Sequence, residues 1–187
     1  MKCSSASAVI AGLKKLGSKR DAQGMARFGI KGELLGVSIY KLRPLAKEIG
    51  INHQLALELW ETGVHEARLL AVFIDTPKEV TEKQLESWAR DFDSWDVCDQ
   101  ATTSLFDKTP HAYKKVLAWS NREEEYVKRA AFALIAGLAV HDKQAHDEKF
   151  LAFLPIIERE AWDDRNFVKK AVNWALRNIG KRNKALN

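Results

Sequence analysis

Apolar residues recur at three-and-four spacing in "HEARLLAVFID" (65–75), "EEYVKRAAFALIAGLAV" (124–140), "EKFLAFLPIIEREAW" (148–162) and "FVKKAVNWALRNIG" (167–180). That period marks amphipathic helices, because positions three and four apart share one face. No segment combines strict alternation with the β-branched enrichment of a strand. Start signals precede several runs: Ser38 before "IYKLRPLAKEIG", Thr81 with Gln84 as a capping box, Ser94 before "WDVCDQ", and Thr109 with Pro110 at a first helical position. Gly50, Gly63 and Gly180 are the corresponding stops. The helices so bounded are about 10 to 16 residues long and come in pairs, with boundaries roughly every 30 to 40 residues, the range of two-helix repeats. The expected fold is all-α: an alpha-solenoid of HEAT-like antiparallel helix pairs, curved with a concave basic face, forming a single domain over residues 1–187. A compact helical bundle is the alternative.

Composition narrows the class. Apolar content of 46% with 29% charged residues describes a soluble globular chain, and no apolar run approaches the roughly 20 residues needed to span a bilayer. In the start "MKCSSASAVIAGLKKLGSKR" the apolar patch "ASAVIAGL" is broken by Lys14 and Lys15, so it reads as an amphipathic helix, not as a cleaved leader. Cys3 and Cys98 have neither the number for a disulfide framework nor metal-site spacing, which suits a reducing, intracellular (cytoplasmic) location. Charge is one-sided: residues 108–187 carry 16 Lys/Arg against 10 Asp/Glu, and no acidic side chain follows Asp164. A polyanion such as nucleic acid would exploit that asymmetry through counterion release. A solvated basic tail would have the same letters.

Phosphate loops, dinucleotide fingerprints and nucleophile elbows are absent. "HEARL" lacks the second histidine of a zinc protease, and His141 and His146 stand five apart on an expected loop. Six tryptophans remain. Trp60, Trp88, Trp119 and Trp162 fit apolar helical faces and are expected in the packing. Trp95 and Trp174 have polar helical neighbours instead. Trp174 is flanked by Lys170, Arg177 and Asn178, an arrangement suited to a sugar-phosphate backbone, although snorkelling cations around a half-buried indole read the same way. Trp95 lies in "DFDSWDVCDQ", four residues before Asp99 and on the same helical face. Cys98 is expected to be a small buried residue.

The segments "GMARFGIKGELLGVSIYKLRPLAKEIG", "DSWDVCDQ", "EYVKRAAFAL" and "NFVKKAVNWALRNIGKRN", in that order, resemble the AlkD-like family of DNA alkylation repair proteins from about Gly24 to Asn183. The resemblance implies HEAT-like repeats holding duplex DNA in a basic groove, and a glycosylase that removes positively charged N3- and N7-alkylpurines. By "SWDVCD", Trp95 and Asp99 take the family's aromatic and catalytic carboxylate positions; Arg129 in "VKRAAFAL" and Trp174 in "AVNWALR" take the arginine and second tryptophan. Asp99 is the expected catalytic anion. Trp95, Arg129, Trp174, Lys170 and Arg177 are the expected DNA contacts, with Arg129 on a phosphate.

The implied partner is double-stranded DNA containing alkylated bases. No membrane, obligate protein partner, metal or cofactor is expected, and the chain is expected to be a monomer. Read without the resemblance, Asp99 is a surface acid and Arg129 an intrahelical partner of Glu125. A non-catalytic module binding damaged or branched DNA is the alternative function, and a protein-binding scaffold the third.

Overall fold

The structure, a computed structural model, describes residues 5–187, so Cys3 lies outside the described residues. Every regular element among them is helical: α1 (Ala6–Leu16), α2 (Lys19–Arg27), α3 (Ile39–Ile49), α4 (His53–Glu61), α5 (His65–Ile74), α6 (Glu82–Arg90), α7 (Trp95–Ser104), α8 (Ala112–Trp119), α9 (Glu125–His141), α10 (Asp147–Leu151), α11 (Leu154–Arg159) and α12 (Asn166–Gly180). A 3-10 turn covers Phe106–Lys108, and a lone bridge joins Glu33 to Val64. The chain packs as two compact units, the first ending at Gln84 and the second running Leu85–Asn187.

The first unit is built on α5, which buries eight of its ten residues against α3, α4 and α1. One of the buried eight is Glu66, whose carboxylate needs donors inside an apolar helix. It finds them in the loop before α3: Leu35 and Gly36 N–H donate at 3.0 and 2.7 Å, and Val37 N–H at 3.1 Å. Gly36 has φ +78°, and a Cβ there would stand 2.0 Å from the Ser18 carbonyl oxygen, so only glycine fits this turn. Asp75, at the end of α5, is likewise filled by His53 Nδ1, Gln84 Nε2 and the Thr76 N–H, each at 2.7 Å.

The second unit is built on α9. Val127 to Ala139 are buried without a break, the mark of a helix enclosed on all sides, and α7, α8 and α12 pack around it. Asn178 and Arg182 latch the far end of α12 and the turn after it to α9, through the carbonyls of Ala136 and Ala139 at 3.0 Å each. Trp88, Phe106 and Trp119 form an aromatic cluster with ring centres 6.1–6.2 Å apart. Trp119 Nε1 and Lys115 Nζ both donate to Glu86, at 2.9 and 2.5 Å.

Four sequence expectations need correction. The run 148–162 is two short helices, α10 and α11, because Pro155 has no N–H to give the Leu151 carbonyl and its ring clashes there. Trp162 consequently falls in the turn after α11 and is 87% exposed, whereas Trp60, Trp88 and Trp119 are buried as expected. The first helical position expected at Pro110 comes two residues later, at Ala112, since Thr109 closes the preceding 3-10 turn through its hydroxyl on the Phe106 carbonyl at 2.7 Å. The Thr81–Gln84 box is half formed. Thr81 Oγ1 accepts the Gln84 N–H at 3.2 Å, but the Gln84 side chain goes to Asp75.

Candidate functional site

Trp95 opens α7, with the buried Ser94 in extended backbone as its N-cap. Cys98 is fully buried, and its thiol reaches the Tyr126 carbonyl on α9 at 3.4 Å, which fixes the α7 face beside it against α9. Burial pushes that thiol well above its ordinary range, so it is no nucleophile. The next residue, Asp99, is turned toward α9 as well.

There it meets Arg129. Arg129 Nε donates to Asp99 Oδ1 at 2.9 Å and one terminal nitrogen donates to Oδ2 at 2.7 Å, a bidentate fork; the other donates to the Phe167 carbonyl of α12 at 2.6 Å. One guanidinium thus ties α7, α9 and α12 together. The Asp99 side chain retains 14% exposure and that of Arg129 only 7%. Burial pushes the Asp99 carboxyl above the usual carboxylate range, while the hydrogen bonds and charge of Arg129 pull the other way without cancelling it. Burial also works against the charge on Arg129, but Asp99 more than offsets it.

Phe167 and Tyr126 floor the pair. The guanidinium carbon lies 5.9 Å from the Phe167 ring centre, and the Tyr126 ring is 5.6 Å from that of Phe167. Lys170 Nζ stands 6.0 Å over the same ring. Trp174, half-buried, follows Phe167 by seven residues, about 10 Å along the helix axis. It sits in a shallow depression with Lys169, Lys170, Asn173 and Arg177, all four exposed.

The structure therefore joins Asp99 to Arg129 directly, and places Trp174 with Lys170 and Arg177 on one face of α12. Arg129 is paired with Asp99, not with Glu125, and each of its three nitrogens is engaged. Phe167, Tyr126, Lys169 and Asn173 were not anticipated. The first two stand inside the family-like strings "EYVKRAAFAL" and "NFVKKAV", so a search for aromatics flanking the arginine and tryptophan would have found them. His141 is not on a loop but ends α9, where Nδ1 bonds the buried Asp107 carboxylate.

The fold has relatives. The chain superposes with a TM-score of 0.83 on a solved structure described as "A new family of proteins related to the HEAT-like repeat DNA glycosylases with affinity for branched DNA structures", at 22% identity, covering 94% of this chain and 75% of that one. The all-α, HEAT-like fold is thereby shown. No curated protein matches the chain. A family match extends over residues 9–187, taking in most of α1, whereas the sequence resemblance begins at about Gly24. Over that span, which holds Trp95, Asp99, Arg129 and Trp174, the chain belongs to the DNA alkylation repair enzyme family.

Proposed function

We propose that the protein is a monofunctional DNA glycosylase that excises positively charged N3- and N7-alkylpurines from duplex DNA. The observation that carries this reading is the bidentate Asp99–Arg129 pair, one turn from Trp95 and still partly open to solvent. An alkylated purine already bears positive charge, so its glycosidic C1′–N bond breaks with the electron pair leaving on the base, which departs neutral. The sugar becomes an oxocarbenium ion; water adds at C1′ and gives up a proton. What the protein must supply is a fixed anion beside C1′ and a way to orient that water.

Asp99 is suited to both tasks. A carboxylate has about four acceptor sites, and the Arg129 fork uses two, so about two remain for water and the developing cation. Arg129 is a positioning residue: it holds the carboxylate plane and favours its ionised form. Two unit charges 4 Å apart attract by about 1 kcal/mol in water and about 4 kcal/mol at an effective dielectric of 20. Excluding water is thus worth about 3 kcal/mol, on the order of a hundredfold in rate. The indoles of Trp95 and Trp174 can exclude it, and their faces attract cations and polarised C–H groups. Lys170 and Arg177 would take backbone phosphates.

The second reading, a module that binds branched or damaged DNA without cleaving it, is favoured by one feature: every nitrogen of Arg129 is occupied and both Asp99 oxygens are engaged. Incubation with methylated duplex DNA separates the two. Release of 3-methyladenine or 7-methylguanine above the spontaneous rate is expected; binding without release supports the module, and absence of binding even at low salt defeats both.

A further inference from the structure

Among the tryptophans of the second unit, Trp162 stands apart in the turn between α11 and α12, with an indole 87% exposed. A loose loop could leave a tryptophan in water by default. This turn is not loose. On its near side Glu160 accepts from Lys128 Nζ and from Arg159 Nε, both at 2.7 Å, and Arg159 also reaches the Ser120 carbonyl at 3.1 Å. On its far side Asp163 accepts from Arg165 Nε at 3.0 Å, and Arg165 donates to the Glu123 carbonyl at 2.5 Å. Lys128 closes the frame, 3.8 Å from Asp163. The backbone adds Ala161 N–H to the Glu158 carbonyl and Asp163 N–H to that of Glu160, at 3.2 and 3.1 Å.

The frame is tied to the site already described. Lys128 is the neighbour of Arg129 on α9, one reaching toward the Trp162 turn and the other to Asp99. Immediately after the turn, α12 carries the exposed Lys169, Lys170 and Arg177 around Trp174. An exposed aromatic face on a pinned turn at the head of a cationic helix offers two complementary things: a π-face for a base to stack on, and cations for the phosphates beside it. Stacking on an indole is sequence-tolerant, because every base has such a face. A fully paired duplex hides those faces in its stack. A turn already fixed in place adds little backbone ordering cost when its side chain binds.

We propose that Trp162 is a stacking platform for a nucleobase whose face is exposed at the edge of a duplex, with the adjacent strand carried on the α12 cations. The inference rests on the DNA-binding reading above and narrows it to DNA with an unstacked base. The test compares wild type, Trp162→Ala and Trp162→Phe on a forked duplex with unpaired 2-aminopurine at the fork, and on a fully paired duplex of equal length. Trp162→Ala should bind the fork about tenfold more weakly, the scale of one base–aromatic stack, and the paired duplex unchanged. It should also lose the 2-aminopurine quenching that wild type produces, while Trp162→Phe recovers most of both. An unchanged Tm verifies that the variant is folded. Equal loss on both DNAs, or no loss on either, overturns the platform while leaving DNA binding intact. Failure of wild type to bind either DNA removes the DNA-binding reading itself, and this inference with it.

Discussion

Two buried carboxylates, one in each unit, have opposite surroundings. Glu66 is fully enclosed and receives three backbone N–H groups from the Leu35–Val37 turn, which uses its oxygens to hold a loop. Asp99 keeps an opening to solvent and is held by a side chain, the Arg129 fork, that leaves acceptor sites over. An enclosed carboxylate met by three backbone N–H groups is placed to hold a loop. One that is oriented but not used up can still act on a second molecule. The opening to solvent and the identity of the donor together tell the two apart.

The largest expected effect comes from removing the donor. Arg129→Met should destabilise the second unit by about 3–5 kcal/mol, because it strands a buried carboxylate and frees the Phe167 carbonyl. Chemical denaturation measures this. Glu66→Gln keeps one acceptor but loses the charge on which three N–H groups converge, and about 1–3 kcal/mol is expected by the same measurement with base release unaffected. If Glu66→Gln abolished base release while leaving stability intact, the distinction between the carboxylates would fail.

The pH dependence should also differ. In the proposed role Asp99 acts as an anion, and burial raises its carboxyl above the usual value, so the acid limb of the release rate should lie above about pH 3.9. Glu160 and Asp163 are shifted the other way. Burial opposes ionisation of Glu160, but Lys128 and Arg159 outweigh it; Arg165 lowers Asp163 against a smaller burial effect. Their folded values lie below the unfolded ones, so the stability they contribute is present above about pH 4 and lost as pH falls through the folded values. Activity should therefore decline, on acidification, before this part of the stability does. The smallest effect is expected on the surface: Lys170→Ala should reduce the slope of log binding against log salt by about 0.9, one phosphate contact, in titrations on duplex DNA.

The helices were legible because their apolar spacing is local information. α5, α9 and α12 begin and end within one or two residues of the runs read from the letters. What was lost is what spacing does not carry. The run 148–162 kept its period across Pro155, and the missing N–H, not the period, decided the outcome; Trp162 was misplaced with it. For Arg129 the local sequence offers Glu125, four residues away on the same helix, whereas its partner is thirty residues off on another helix. Glu66 was visible as a lone acid in "HEARLLAVF", yet the loop that satisfies it is reached only through the fold. Trp95, Asp99, Arg129 and Trp174 were picked out through resemblance, and the Asp99–Arg129 contact now joins two of them.

The most direct test of the account is single-turnover base release at saturating protein, comparing wild type with Asp99→Asn on methylated duplex DNA. Asparagine preserves the shape and one acceptor for Arg129 while removing the charge. Release at least about a hundredfold slower, with DNA affinity within about threefold of wild type, is the predicted result. Equal rates of release in the two proteins would contradict it.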